Sequence, residues 1–240
     1  MELTQPLYRT DYVGETINGY SKTTGKPSSV FVKPRENLFI PPFTKNAIVL
    51  GNGITRNYPE VQLLLTTNAR KVAESYKLVY SCNRAVHDET SYDYYVLKHR
   101  VFLANIPRDR IPQIYLTPEI FIDYKQNCNL LPYIHWLDSG TSAAYLSCFD
   151  GHKRVFLFGF DGDCGRGYQT VYDEFYPYNE NAKTVDYDTW VNGLYTVMNT
   201  YREVFFFRVQ IDGQETPVAW KNLPNFRTIT VREAVLLGDF

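Results

Sequence analysis

The sequence of 240 residues lacks several features that would place it in a specialised class of protein. Its four cysteines form no C-x-x-C pair, so their spacing predicts neither a zinc knuckle nor a dense disulfide framework. No apolar run approaches the roughly 18 residues that a membrane-spanning helix needs. Met1 to Asp11 contain no basic patch followed by an apolar block, so we expect no secretory signal and a reduced, cytoplasmic protein.

The sequence also lacks a charge excess and a complete dinucleotide fingerprint. Its net charge of −1 argues against a surface dominated by phosphate binding, although it allows a local basic patch. In the pattern G-x-G-x-x-G, the first two glycines are Gly51 and Gly53, but Arg56 occupies the third place. The sequence therefore does not support NAD binding.

Short apolar runs alternate with helical patterns along most of the chain. This alternation predicts an α/β fold with a doubly wound, largely parallel Rossmann-like sheet. Residues 1–45 are rich in glycine and proline, so we expect an irregular N-terminal arm or flap there, followed by one Rossmann-like domain over residues 46–240. The predicted strands lie at 46–50, 77–82, 94–97, 113–117, 154–159, 204–207 and 227–230. The predicted helices follow Thr55 and Thr117, and cover 139–148, 187–201 and 231–237.

The first predicted strand of the sheet ends in Gly51-Asn52-Gly53. Glycine lets another backbone or a ligand approach closely, and a helix N-terminus after such a turn binds anions. The alternative is a tight turn without a ligand.

Two further segments carry polar groups where ligands bind in such folds. Asn83 follows the second strand, and its amide offers both donors and acceptors. Ser139, Gly140 and Thr141 begin a helix whose N–H groups and hydroxyls suit an anion. A local turn at Asn83 and simple capping of the helix are the alternatives.

Four motifs appear in an order that resembles the bacterial sialyltransferases that use a CMP-sugar donor. They are Ile48-Val49-Leu50-Gly51-Asn52-Gly53, Ser81-Cys82-Asn83, Ser139-Gly140-Thr141-Ser142 and Leu157-Phe158-Gly159-Phe160-Asp161. The resemblance covers about residues 46–210 and implies a nucleotide-sugar-binding domain. It implies that Asn52 and its glycines contact phosphate or sugar, that Asn83 lines the donor pocket, and that Ser139, Gly140 and Thr141 hold nucleotide or donor carboxylate.

The sequence departs from this family at the general base. The resembled enzymes have a histidine just before the helix that corresponds to 187–201, and this chain has none between 181 and 188. Asp186 and Asp188 stand where a base is needed, and His87 at the end of the second strand is a further candidate. Alternatively, the two acids favour only the N-terminus of the following helix.

Asp161 and Asp163 form a D-x-D pattern, which binds Mn²⁺ or Mg²⁺ with nucleotide sugars in many glycosyltransferases. Asp161 also matches the strand end of the resembled family, where no metal is required. We therefore expect no required cofactor, with a divalent metal at Asp161 and Asp163 as the alternative.

Lys98, Arg100, Arg108 and Arg110 lie near Tyr92, Tyr94 and Tyr95, an arrangement that suits a nucleic-acid backbone or a solvated face. These motifs together predict an inverting glycosyltransferase with a CMP- or UDP-linked sugar donor. Its acceptor is a glycan or a hydroxymethylated base in DNA, as in phage DNA modification. The alternative is a non-catalytic nucleotide- or sugar-binding module that has lost the base.

Overall fold

The computed structural model describes most of the chain, including one large sheet and the helices on its two faces. The described ranges are 15–32, 46–65, 71–72, 75–88, 92–103, 114–124, 128–131, 137–161, 187–210 and 215–238. Strands β1 (Glu15–Ser21) and β2 (Lys26–Val32) pair with each other, as do β4 (Lys71–Val72) and β5 (Ser75–Tyr76). The remaining strands are β3 (Asn46–Leu50), β6 (Leu78–Cys82), β7 (Tyr94–Leu97), β8 (Ile114–Leu116), β9 (Cys128–Leu130), β10 (Arg154–Phe158), β11 (Phe205–Gln210) and β12 (Phe226–Thr230).

The large sheet has eight strands in the order β12-β11-β10-β3-β6-β7-β8-β9, and all its pairs are parallel. The chain moves outward from β3 to β9, returns beside β3 as β10, and moves outward again to β12. The order therefore reverses between β3 and β10, and ligands of such sheets bind outside the carboxyl ends of the strands near that reversal. The predicted doubly wound, largely parallel fold is confirmed.

Five α-helices cover the two faces of this sheet within the described part of the chain. They are α1 (Pro59–Leu64), α2 (Pro118–Phe121), α3 (Ser139–Phe149), α4 (Tyr187–Thr200) and α5 (Val231–Gly238). Short 3-10 helices lie at Ile54–Asn57, Asn83–His87, Arg100–Leu103 and Val218–Trp220. No helix in these ranges is long and apolar enough to cross a membrane.

The central strand β3 explains why the sheet has two cores. All five of its residues are buried, and alternate side chains point to opposite faces. Ala47 and Val49 join the core under α3 and α4, whereas Ile48 and Leu50 join the core under α1 and α5. A strand covered on both sides needs an unbroken apolar run, and this is the pattern by which it was predicted.

The N-terminal arm is more regular than expected over its described part. Strands β1 and β2 form an antiparallel hairpin from Glu15 to Val32, closed by a turn in which Gly25 has a φ of +66°. The hairpin packs on the segment after α2, where the Ser21 hydroxyl donates to Asp123 Oδ1 at 2.5 Å. The rest of the arm, residues 1–14 and 33–45, lies outside the described residues.

Candidate active site

The loops after β3 and β10 are locked together at the carboxyl edge of the sheet. The Gly51 N–H donates to Phe158 O at 2.8 Å, and the Gly53 N–H donates to Gly159 O at 2.8 Å. A Cβ on Gly53 would lie 2.4 Å from Asp161 Oδ2 and 2.7 Å from Gly159 O. Gly51 and Gly53 are thus needed because the two loops approach each other this closely, whatever the loops bind.

Asp161 fixes the same pair of loops through its carboxylate. Its Oδ2 accepts the Thr55 N–H at 2.8 Å, and its Oδ1 accepts the Thr55 hydroxyl at 2.5 Å. Asp163, the other acid of the D-x-D pattern, lies outside the described residues. Both oxygens of Asp161 thus already accept hydrogen bonds, and no cluster of three or more candidate metal ligands occurs in the described ranges. A divalent metal at Asp161 and Asp163 stays a prediction.

Asn52 is buried beside a charged group that the sequence interpretation treated only as a missing glycine. The Arg56 Nη1 donates to Gly51 O at 3.3 Å and lies 3.5 Å from Asn52 Oδ1. Its Nη2 donates to Asp88 Oδ2 at 2.6 Å and to the Tyr92 hydroxyl at 2.9 Å. Arg56 is only 2% exposed, so its charge is held inside the protein by the Asp88 carboxylate and neighbouring oxygens.

Asn83 has an unusual backbone at the carboxyl end of β6. Its φ of +49° makes it the only described non-glycine residue in the left-handed region. Its side chain is 8% exposed, and its buried Oδ1 accepts no hydrogen bond from any described residue. Strained backbone and an unsatisfied buried amide both cost free energy, and such residues concentrate at ligand sites.

Cys82 lies between the two asparagines. Its Sγ is 4.0 Å from Asn52 Oδ1 and 3.9 Å from Leu50 O. Burial raises the pKa of this thiol to about 12, and the Asp138 carboxylate adds to the rise. The thiol is therefore protonated at neutral pH and serves as a weak donor rather than a nucleophile.

The N-terminus of α3 is capped by a residue that was not predicted. Asp138 Oδ1 accepts the Thr141 N–H at 3.0 Å, and its Oδ2 accepts the Thr141 hydroxyl. The helix begins in the candidate site with Ser139 and Gly140, but a carboxylate already occupies its cap. In this structure both donors of Thr141 are directed at Asp138, and the hypothesis that Ser139, Gly140 and Thr141 hold an anion stays a prediction. The aspartate before Ser-Gly-Thr was a usable signal, because Asp is a favoured N-cap.

The predicted bases are only partly placed by the structure. His87 ends the 3-10 helix after β6, at the carboxyl edge, and Asp188 is the second residue of α4. Asp186 lies outside the described residues, and the side chains of His87 and Asp188 are not described. Their assignment as bases stays a prediction.

Lys98 and Arg100, the two described cations of the candidate acceptor or DNA patch, both bond to groups of the protein. The half-buried Lys98 donates to Leu137 O, and burial lowers the pKa of its amine. Arg100 pairs with Asp123 and donates to Glu119 O at 2.8 Å. Tyr94 and Tyr95 are buried because both faces of β7 are covered, and Tyr92 is buried before that strand with its hydroxyl bonded to Arg56 and Asp88. These three rings therefore offer no stacking surface. Arg108 and Arg110 lie outside the described residues.

The structure of the chain is similar to solved sialyltransferases, although the sequences have diverged. No known family model matches the sequence, and comparison with curated proteins gives no significant match. The monofunctional α-2,3-sialyltransferase Cst-I from Campylobacter jejuni matches with a TM-score of 0.50 and 16% identity, over 79% of this chain and 83% of that chain. The sialyltransferase CstII from Campylobacter jejuni, solved with cytidine-5'-monophosphate, matches with a TM-score of 0.44 and 15% identity over 70% and 81% of the two chains. The chain therefore has a sialyltransferase-like fold.

Proposed function

We propose that this protein is a glycosyltransferase that moves a sugar from a nucleotide-sugar donor to an acceptor hydroxyl. The observation that carries this proposal is the pair of buried asparagines, Asn52 and Asn83, at the carboxyl ends of the paired strands β3 and β6. These ends lie beside the reversal of strand order, where open α/β sheets bind ligands. Asn83 occupies a left-handed position there, although glycine would fit this backbone better.

The chemistry of the site suits a phosphate-linked sugar. Each carboxamide offers donors for phosphate oxygens and an acceptor for sugar or ribose hydroxyls. The N-terminus of α3 supplies the N–H groups of Ser139 and Gly140 at the same edge, where a partial positive charge favours an anion. The order of the four motifs favours a CMP-linked donor, with UDP as the alternative nucleotide.

In the proposed reaction an acceptor hydroxyl attacks the anomeric carbon from the face opposite the nucleotide. The bond from that carbon to the leaving phosphate oxygen breaks with its electron pair, and the nucleotide leaves as an anion. The hydroxyl proton passes to a carboxylate, for which we propose Asp186 or Asp188 before or at the start of α4. Such a base needs a raised pKa, which closure over the donor provides by excluding water.

A glycan is the acceptor we favour over modified DNA. Phosphate backbones are bound by exposed arginine and lysine side chains. In this structure Lys98 and Arg100 are partly buried and bond to groups of the protein, and the adjacent tyrosines are buried. Hydroxymethylated DNA remains the second substrate to be assayed, because Arg108 and Arg110 belong to the same patch.

One observation favours a second function, that of a binding module without turnover. The segment 181–188 contains no histidine, which is the base of the resembled enzymes. A module that kept the asparagines and lost the base would bind a nucleotide sugar and release it unchanged. Binding and turnover must therefore be measured separately.

Binding is tested by thermal unfolding with CMP, UDP and their sugar conjugates. At about 100 times its dissociation constant, the right nucleotide adds about 2.7 kcal/mol to the free energy of unfolding. For a chain of this size that corresponds to a rise of roughly 5–10 °C in Tm. We expect Asn52→Ala to remove most of this shift, with the exposed Asn192→Ala on α4 as the control. No shift with any nucleotide or nucleotide sugar would contradict the proposal.

Turnover is tested by mass spectrometry of donors with a glycan pool and with hydroxymethylated DNA. We expect Asp186→Asn or Asp188→Asn to lower kcat by about 10²–10⁴ while nucleotide affinity changes only a few-fold. His87→Ala should have the smaller effect, because His87 follows the fixed edge of the sheet. Tight binding without multiple turnover would select the binding module. Full turnover of both Asn variants with loss in the His87 variant would move the base to His87.

A further inference from the structure

We propose that Arg56 is a positioning residue that sets the orientation of the Asn52 carboxamide and holds the loops of Asn52 and Asn83 in one geometry for the phosphate-bearing part of the donor. This inference rests on the proposed function for the identity of the ligand. The observation behind it is that the buried guanidinium of Arg56 contacts both loops.

The first step is the orientation of Asn52. Two groups lie next to its Oδ1, Arg56 Nη1 at 3.5 Å and Cys82 Sγ at 4.0 Å. A guanidinium only donates, and a protonated thiol is a weak donor. A carboxamide between two donors places its oxygen toward them, so Arg56 and Cys82 together set which way the amide of Asn52 is turned.

The second step is the link between the two loops. The other end of the guanidinium bonds Asp88 Oδ2 at 2.6 Å, and Asp88 directly follows the 3-10 helix that Asn83 begins. The Tyr92 hydroxyl closes the arrangement, since it accepts from Arg56 at 2.9 Å and donates to Asp88 at 3.0 Å. Arg56 therefore spans from the residue after β3 to the end of the helix after β6.

Only an arginine at position 56 can make all of these contacts together. Its planar fork bonds two sides at once, whereas a lysine ammonium is a single point on a flexible stem. The Gln62 side chain donates to Arg56 O at 2.6 Å and so fixes the backbone from which the fork extends. We therefore expect Arg56→Lys to recover only part of what Arg56→Met loses.

A double-mutant cycle on the affinity for CMP tests this inference. The affinities are measured by NMR titration, which also detects weak binding. Arg56→Met should raise the Kd for CMP about 10- to 100-fold, since it removes a charged hydrogen-bond partner, and Arg56→Lys should fall between it and the wild type. In an Asn52→Ala background, Arg56→Met should raise the Kd several-fold less than it does in the wild type, because the part of its effect that passes through Asn52 is already lost and only the link to the Asp88 loop remains. Equal losses in both backgrounds would overturn the inference. Tyr80→Phe is the matched control, because it removes buried hydrogen bonds to Asp150 and His152, away from this site.

A second measurement on the protein without nucleotide separates this inference from the proposed function. In the wild type the Asn52 side-chain amide should be rigid, and in Arg56→Met its order parameter should fall below about 0.6. The Asn225 amide is the internal reference, because its Nδ2 donates to three backbone carbonyls far from Arg56 in the sequence. An unchanged Asn52 amide overturns the inference. If that amide loosens but the wild type binds no nucleotide, the proposed function fails and the positioning role stands.

Discussion

The buried asparagines at the amino edge of the large sheet make hydrogen bonds of a different kind from the buried threonine and arginine at its carboxyl edge. At the amino edge, Asn46 donates to Gly238 O at 2.9 Å, and Asn225 donates to the carbonyls of Met198, Tyr201 and Val204. These side chains bond backbone and so fasten the ends of neighbouring elements. At the carboxyl edge, Thr55 bonds Asp161 and Arg56 bonds Asp88, so that side chains of different loops fix one another.

This difference separates stability from recognition. A side-chain amide that bonds a backbone carbonyl holds the end of a helix or strand in place. Removing that amide therefore lowers the free energy of unfolding. A network of side chains defines where the remaining polar atoms point, which matters for a ligand. The carboxyl edge also carries the strained Asn83, whereas the left-handed residue at the amino edge is a glycine, Gly151.

The largest expected difference between the two edges is the loss of stability when one glycine at each edge is replaced by alanine. In Gly53→Ala the new methyl group meets a carboxylate and a backbone oxygen, so we expect a loss of about 3 kcal/mol and of nucleotide binding. In Gly151→Ala nothing lies within 4 Å of the new atom, and only the φ of +95° opposes it, at about 1 kcal/mol. Chemical denaturation measures both. Equal losses would show that the two glycines are required for the same reason.

The next prediction compares how an asparagine from each edge contributes to stability and to CMP affinity. Asn225→Ala removes three hydrogen bonds and should lower the free energy of unfolding by about 2 kcal/mol while the Kd for CMP is unchanged. Asn83→Gly relieves a left-handed backbone and should raise stability by about 0.5 kcal/mol, yet weaken CMP about 10-fold or more. The measurements are denaturation and calorimetric titration on the same samples. A stable Asn83→Gly variant with unchanged affinity would remove Asn83 from the site.

The smallest effect concerns acid and the docking of the N-terminal hairpin. Burial alone would raise the pKa of Asp123, but hydrogen bonds from Ser21 and Arg100 outweigh it, so the pKa lies below the usual Asp value. A carboxyl whose pKa is lowered on folding adds stability above its unfolded pKa, and this is lost as pH falls through the folded value. The stability advantage of the wild type over Asp123→Asn should therefore shrink below about pH 4. The deficit of Asn225→Ala should not follow this titration, because an amide does not titrate. A constant advantage of the wild type from pH 7 to pH 3 would contradict the lowered pKa.

Apolar runs made the sheet predictable, because strands buried on both faces carry no other pattern. The strands at 46–50 and 154–158, and the helices at 139–149 and 187–200, were found by that signal within one or two residues. The hairpin of β1 and β2 was not, because its strands are largely polar and exposed. Strand β9, the next strand after 113–117, was not predicted because its three residues, Cys128-Asn129-Leu130, form no apolar run.

The candidate site was less predictable than the sheet, for two physical reasons. Charged residues are ordinarily exposed, so nothing in the sequence shows that Arg56 is buried or that it meets Asp88. Tyrosines suit cores and ligand surfaces equally, and only the cover on both faces of β7 decides that Tyr94 and Tyr95 are core. Asn52 and Asn83 could be proposed from the sequence because their position after a strand is itself a sequence feature.

The place of β3 between β6 and β10 has a consequence for how the chain is made. Asn46 of β3 pairs with Arg154 of β10, so β3 has only one strand beside it until most of the chain has been synthesised. Until then its other side is an apolar edge with unpaired N–H and C=O groups, which invites pairing with another chain. Versions of the protein cut before residue 154 should therefore aggregate rather than fold into half a sheet.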